Sequence, residues 1–107
     1  MPKYLIEATY TAEGFKGLLK DKGTGRVKAV KAAAASLGGS MESFYFAFGD
    51  RDAILIVDLP DNVTAAGFAL GASSTGLVAV KTTPLLTAED LDRAVKVKSA
   101  YKAPGKA

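Results

Sequence analysis

The chain has 107 residues, of which 49% are hydrophobic and 23% charged, and its formal net charge is +3. This length and composition predict one ordinary globular domain with a single core. Cysteine and histidine are both absent, which excludes disulfides, thiolate nucleophiles and the common zinc and haem ligands, so we expect no cofactor and no metal site.

The two ends of the chain give further expectations. The N-terminus has no apolar stretch long enough for a signal peptide, and no segment approaches the ~20 apolar residues of a membrane span. Lysines gather near the C-terminus, but no groove-reading motif or interleaved aromatic residues accompany them. We therefore expect a cytoplasmic protein that binds neither membrane nor nucleic acid, with one domain over residues 1–98 and a flexible basic tail over residues 99–107.

The hydrophobic pattern of the first third predicts a strand followed by helical segments. Residues 3–10 alternate between apolar and polar positions, which is strand spacing. A short helical segment then runs into a glycine-rich loop at residues 20–25. A longer helix is predicted over residues 26–37, ended by Gly38 and Gly39.

The middle of the chain predicts a β-hairpin. "SMESFYFAF", residues 40–48, alternates so that Phe44, Phe46 and Phe48 share one face. After the turn-forming "GDRD" comes "AILIVDL", residues 53–59, a continuous apolar run. Two strands separated by so few residues are typical of an antiparallel pair.

Three more elements complete the chain. "PDN" breaks the preceding strand and offers a cap for a helix over residues 63–72. "LVAVKTT", residues 77–83, is the last strand and is expected to end at Pro84. "TAEDLDRAVKV" predicts a final helix that begins with a capping box formed by Thr87 and Asp90.

The predicted order is βαββαβ with a C-terminal helix, which is the split βαβ pattern of ferredoxin-like α+β folds. Right-handed crossovers place both main helices on one face of a four-stranded antiparallel sheet. On the second strand of the hairpin, Ile54 and Ile56 point one way while Leu55 and Val57 point the other, so this strand is apolar on both faces. We expect the second face to form a homodimer or higher homo-oligomer, sheet against sheet. The alternative is that the terminal helix covers it.

Three segments carry a family resemblance: "YLIEATYTAEG", "SLGGSMESFYFAFGDRDAILIVDLPDN" and "KTTPLLTAEDLD". In this order and spacing they resemble the GYD-domain family of small bacterial and archaeal proteins, over about residues 4–101. The family's Gly, Tyr, Asp signature falls on Gly49, Arg51 and Asp52, so an arginine stands where the family has tyrosine. This departure weakens any role that rests on a phenol there.

The resemblance also implies an assembly. The family is similar in fold to the dimeric α+β barrels, in which ferredoxin-like units pair through their sheets. It implies no activity, because the family has none established and the related barrels include monooxygenases, isomerases and haem enzymes.

The "GDRD" segment is the first candidate site. Asp50 and Asp52 have the residue types for acid–base catalysis, with Arg51 to hold an anionic substrate. The alternative is a turn in which Gly49 takes a positive φ and the aspartates accept hydrogen bonds from nearby backbone N–H groups. We favour the turn and keep Asp52, at the mouth of a buried strand, as the best candidate for a polar residue with a specific role.

Two glycine-rich segments have the composition of anion-binding loops. "KDKGTGRVK", residues 20–28, lacks the spacing of a phosphate-binding loop and follows no predicted strand, so we favour a flexible, solvated connection. "GASSTG", residues 71–76, is explained equally well by the end of a helix and the start of a strand.

Four further side chains allow two interpretations each. Tyr4, Tyr10 and Tyr45 either line a pocket for an apolar aromatic molecule or belong to the core and dimer interface, which is commoner at strand spacing. Lys81, in the middle of the last strand, lies either at a sheet edge or opposite an acid such as Asp58.

Two functional hypotheses result. The first is a non-enzymatic oligomeric module that binds a small ligand or a protein partner. The second is a cofactor-independent enzyme, monooxygenase- or isomerase-like, that acts on an apolar or aromatic molecule with Asp52 or a tyrosine handling the proton. A filled core between sheet and helices favours the module, whereas a cavity lined by polar groups favours the enzyme.

Overall fold

The structure, a computed structural model, describes residues 1–106. Its elements in chain order are β1 (Lys3–Tyr10), α1 (Ala12–Ser36), β2 (Ser40–Phe46), β3 (Ala53–Asp58), α2 (Asn62–Ser73), β4 (Val78–Leu85) and α3 (Ala88–Val95). Within these residues the chain forms a four-stranded antiparallel sheet and three helices, which confirms the predicted α+β class. Ala107, the last residue of the predicted tail, lies outside the described residues.

The sheet has the strand order β2-β3-β1-β4. β1 lies inside the sheet and pairs antiparallel with both β3 and β4, which leaves β2 and β4 as its edges. This arrangement is consistent with a ferredoxin-like fold.

The core lies between the sheet and two helices. Val30 of α1 and Phe68 of α2 both pack against it, so both helices cover the same face, as predicted. Because strand side chains alternate, every second residue of β1 and β3 points to these helices. The buried cluster consists of Tyr4, Ile6, Leu55, Val57, Leu59 and Ala65.

The other face of the sheet, here called the open sheet face, is covered by no helix of the described chain. The register places Leu5, Glu7, Tyr45, Ile54, Ile56, Asp58 and Lys81 on this face. Leu5 and Ile56 are half-buried by their neighbours, and Ile54 is exposed. As the sequence predicted, β3 is therefore apolar on both faces.

β2 departs from the predicted alternation because it contains a bulge. The pairing with β3 shifts register between Met41 and Ser43, so one extra residue is inserted and the faces exchange. Met41 and Phe44 consequently both pack against the core. The sequence placed these two residues on opposite faces, and for Met41 that prediction is wrong.

The hairpin loop is longer than predicted. β2 ends at Phe46, which pairs with Ala53, the first residue of β3. Residues 47–52 form the connection. Phe48, which the sequence placed in the strand beside Phe46, lies in this loop and is fully exposed.

α1 replaces the predicted loop at residues 20–25 with a kink. Two helical segments meet at Lys22, whose φ of 62° and ψ of 174° are not helical. The break therefore occurs where the glycines indicated it, but the chain re-enters a helix at once. Lys22 is also the one non-glycine residue of the described chain with positive φ.

The later elements follow their local signals. Asp61 caps α2, accepting from the Thr64 backbone N–H at 2.8 Å. The predicted capping box of α3 forms, with Asp90 N–H donating to Thr87 Oγ1 at 3.1 Å and Thr87 N–H to Asp90 Oδ2 at 3.0 Å. β4 continues through Pro84 to Leu85 rather than ending before it, because an edge strand tolerates a residue without N–H.

Candidate functional site

A cleft of about 400 Å³ opens where the kink of α1 faces the end of β2. We call it the kink cleft. Its walls are almost entirely apolar. Its two charged residues are Lys22, at the kink, and Asp52, just before β3. The lining residues are Phe15, Leu18, Leu19, Lys22, Gly23, Phe46, Ala47, Phe48 and Asp52.

The kink cleft exists because of the two irregular features described above. The kink at Lys22 turns the first half of α1, which carries Leu18 and Leu19, away from the line of its second half. Gly23 then lets the Phe46 ring approach closely, since a Cβ there would lie 3.2 Å from that ring. Leu19 and Phe48 leave large apolar surfaces exposed at the rim, with 80% and 107% of their areas accessible.

Asp52, the favoured candidate from the sequence, has a structural partner. Its Oδ2 accepts a hydrogen bond from the Tyr10 backbone N–H at 2.9 Å, and its own N–H donates to the Ala8 carbonyl at 2.9 Å. The carboxylate thus continues the ladder between β1 and β3 just before β3 begins. This contact supports the turn interpretation, although the N–H that donates to the carboxylate belongs to β1 and not to the turn.

The turn itself differs from the prediction at Gly49. Its φ is not positive, and the positive-φ glycines of the described chain are Gly38, Gly76 and Gly105. A six-residue connection has enough length to reverse direction without a left-handed residue at this position. The expectation of a positive φ at Gly49 is therefore wrong.

Arg51 and Asp52 lie on opposite sides of the sheet. Arg51 Nε lies 3.7 Å from Glu7 Oε2 on the open sheet face, while Asp52 borders the kink cleft. Asp50 is exposed in the loop. The structure therefore does not bring Asp50, Arg51 and Asp52 together around one substrate position.

Lys81 lies on the edge strand β4, in register with Glu7 of β1. It is exposed and lines a shallow depression with Glu7 and Arg51. Asp58, the acid considered as its partner, instead binds Lys3. The edge position predicted as one alternative is the one observed.

The three candidate tyrosines are separated. Tyr4 is buried and donates to Asn62 Oδ1 at 2.6 Å, which ties β1 to α2. Tyr10 packs on Phe15, with ring centroids 5.5 Å apart. Tyr45 lies 71% exposed on the open sheet face. They form core and surface positions and no common pocket.

Sequence reasoning missed an ion cluster formed by three strands. Lys3 Nζ lies 2.7 Å from Glu42 Oε1 and 3.0 Å from Asp58 Oδ1. Hydrogen bonds to Glu42, and then to Asp58, raise the pKa of Lys3 above its ordinary value. Glu42 reaches this cluster from the bulge region of β2, a feature that strand alternation does not reveal.

Two adjoining cavities lie between the sheet and the helices. One of about 70 Å³ is lined mainly by apolar side chains, with Tyr10 and Arg26 as its polar members. The other, of about 240 Å³, shares these two residues and adds Asp21 and Thr75.

Residues 20–28 are helical except at the kink residue Lys22, and residues 71–76 run from the end of α2 into the turn before β4. In the described part of the chain, no three acidic, histidine or cysteine side chains are grouped as a metal site would require.

The fold and its cleft define a small α+β protein that has an apolar cleft at one end of the sheet and, opposite its helices, an open face with apolar residues at its centre and charged residues around them. Residues 4–95 match the family model of the GYD domain. The chain therefore belongs to the GYD-domain family. No curated protein and no solved structure matches it. None of the helices in residues 1–106 combines the length and apolarity needed to cross a membrane.

Proposed function

We propose that this protein is a non-enzymatic, homodimeric module that binds a small apolar or aromatic molecule in the kink cleft. The observation that carries the proposal is the cleft's wall of exposed aromatic and aliphatic side chains, led by Phe15, Leu19 and Phe48. Its volume of about 400 Å³ lies within the range of small-molecule sites. Burial of such apolar surface by a ligand lowers the free energy of the complex.

The positions of Asp52 and Tyr45 support a binding module over an enzyme. Asp52 already accepts a backbone hydrogen bond, and Tyr45 lies on the opposite side of the sheet from the cleft. Neither Asp52 nor Tyr45 is therefore a free proton-handling group at the place where an apolar substrate would bind.

The kink cleft can be tested with a fluorescent apolar anion, anilinonaphthalene sulfonate. Its aromatic body suits the cleft wall, and its sulfonate suits the neighbouring depression that holds Lys28 and Lys31. Removing two exposed wall residues by Leu19→Ser with Phe48→Ser should weaken binding about tenfold, because two buried apolar contacts are lost. Fluorescence titration measures the change.

The matched control changes two equally exposed apolar residues outside the cleft. Val63 and Leu70 of α2 are 82% and 71% exposed, so Val63→Ser with Leu70→Ser removes similar apolar area. This control should leave the affinity for the probe unchanged. Equal binding by both double variants would contradict the assignment of the ligand site to the kink cleft.

The dimer part of the proposal rests on the open sheet face. Leu5, Ile54 and Ile56 form its apolar centre, and a two-fold axis lets the same surface cover itself on a second copy. Light scattering coupled to size exclusion should give twice the mass of 11.1 kDa. A stable monomer at micromolar concentration overturns this part and leaves the cleft assignment standing.

A further inference from the structure

The C-terminal arm, residues 87–106, leaves the body of the molecule. Every residue from 91 to 106 is exposed, and α3 has no buried residue. The chain extends 59 × 31 × 23 Å with a radius of gyration of 17.1 Å, whereas a compact domain of this size has about 13 Å. The arm is therefore a projection, although the sequence predicted a flexible tail only from residue 99.

The arm carries an apolar stripe. Leu91 and Val95 are one helical turn apart on α3, and Val97 and Tyr101 follow; between 57% and 77% of each side chain is accessible. Isolated helices shorter than about 12 residues are marginal in water, and protein helices gain most of their stability by packing an apolar face. α3 has eight residues and a complete capping box, so its stripe needs a surface to pack on.

The arm does not pack on its own body in the structure. Leu86 and Thr87 link β4 to α3, and Thr87, extended at φ −76° and ψ 168°, caps the helix. No residue of α3 is buried, so its apolar stripe stays available to a second copy.

A second copy of the chain fits the arm by area. The strands contain eight, seven, six and eight residues. At about 3.3 Å per residue and about 4.8 Å between strands, the open sheet face covers about 450 Å² in projection. A stable interface usually buries about 800 Å² on each partner. A projection is smaller than the accessible area of the same surface, so the sheets alone form a modest interface, and two symmetric arms with exposed apolar stripes would enlarge it.

We propose that each arm packs on the body of the partner copy and clasps the dimer, with Leu91 and Val95 as its anchors. The inference rests on the sheet-to-sheet dimer of the proposed function. It assigns a role to the last twenty described residues, which neither the kink cleft nor the core uses.

The first test compares two double variants of α3. Leu91→Ser with Val95→Ser removes the anchors, and Asp92→Ser with Lys96→Ser makes the same change at the same spacing on the neighbouring polar side without altering net charge. Sedimentation of the full chain should show a dissociation constant raised about tenfold or more for the first and changed less than about twofold for the second. Circular dichroism checks that both variants keep the fold.

The outcomes separate the two proposals. A monomeric wild type overturns the dimer and the clasp together. A dimeric wild type whose dissociation constant is unaffected by Leu91→Ser with Val95→Ser overturns the clasp alone.

A second test shows which copy the arm contacts. Tyr101 is replaced by the photo-cross-linker p-benzoylphenylalanine, which resembles it in shape, and the protein is irradiated at a concentration at which it is dimeric. The clasp predicts covalent dimers on a denaturing gel. The same replacement at Val63, exposed on α2, should give none. A Tyr101 product that is cross-linked only within single chains overturns the clasp.

Discussion

At the scale of single residues, Asp52 combines a position at the kink cleft with a structural hydrogen bond. Its carboxylate borders the kink cleft and also accepts a hydrogen bond from the Tyr10 backbone N–H, one residue before β3 begins. Asp52→Ala should lower the free energy of unfolding by about 1 to 2 kcal/mol, because a backbone donor loses its partner. Asp52→Asn keeps an acceptor oxygen and should stay near wild type. Urea denaturation measures both, and equal losses in the two variants would contradict the proposed contact.

Lys22 holds an unfavourable backbone conformation at the edge of the same cleft. A non-glycine residue at φ 62° and ψ 174° stores about 1 to 3 kcal/mol of strain. Lys22→Gly should therefore raise the free energy of unfolding by about 1 kcal/mol after the entropic cost of glycine is subtracted. As a control, Lys20→Gly in the helical part of α1 should lower it by about 1 kcal/mol. A loss of stability in both variants would show that Lys22 is not strained.

At the scale of elements, α1 is placed by one glycine. Thr11 Oγ1 accepts from the Gly14 N–H at 3.2 Å and donates to the Gly76 carbonyl at 3.0 Å. A Cβ on Gly14 would lie 1.9 Å from the Leu77 carbonyl oxygen, so this turn of α1 rests directly on the chain that leads into β4.

The contact at Gly14 gives a matched pair of alanine substitutions. Gly14→Ala should destabilise the protein by about 2 kcal/mol or more, because backbone must move to admit the methyl group. Gly17→Ala, one turn later with open space around it, should stabilise it by about 0.5 to 1 kcal/mol. Thermal unfolding shifts of opposite sign check the pair, and shifts of the same sign would contradict the close contact.

The stability that the N-cap of α2 contributes depends on pH. Hydrogen bonds from the Thr64 backbone and then from its side chain lower the pKa of Asp61 below its ordinary value of 3.8. A carboxyl whose pKa is lower in the folded state stabilises the fold above its unfolded pKa, and that stabilisation is lost as the pH falls through the folded pKa. The difference in stability between wild type and Asp61→Asn should therefore shrink as the pH falls below about 4.

Chemical denaturation across this pH range measures the Asp61 effect. Asp50→Asn is the control, since among residues 1–106 the Asp50 carboxylate accepts no hydrogen bond, and this variant should follow wild type. A stability difference for Asp61→Asn that stays constant with pH would show that the charge of the cap contributes nothing.

The sequence predicts elements whose signals are local. β1, the Asp61 cap and the Thr87 capping box all depend on residues within one strand or turn, and each forms as expected. The bulge of β2, the conformation of Lys22 and the bond from Tyr10 to Asp52 depend on neighbouring strands and helices, so periodicity does not reveal them. The kink cleft is built from these non-local features. The sequence therefore indicated Asp52 as a candidate polar residue but did not reveal the cleft around it.

At the scale of the whole molecule, the proposed ligand site and the proposed dimer interface lie on different parts of the surface. The kink cleft lies at the end of the sheet beside α1, whereas the dimer would use the face that the helices leave open. The two proposals therefore assign ligand binding and dimerisation to different side chains, and variants on the open sheet face should leave the affinity for anilinonaphthalene sulfonate unchanged.

Ile54 provides the sharpest test of the dimer. It lies in register with Glu7 and Tyr45 on the open sheet face and is 36% exposed. The ammonium group of a lysine there is hydrated in a monomer, but it is removed from water in a sheet-to-sheet dimer. Ile54→Lys should raise the dissociation constant about tenfold or more, because a charged side chain, even one opposite Glu7, must leave water when the two sheets meet. Leu70→Lys, on the exposed side of α2, should leave it unchanged. Sedimentation at several concentrations measures both, and equal dissociation constants would place the interface somewhere other than the sheet.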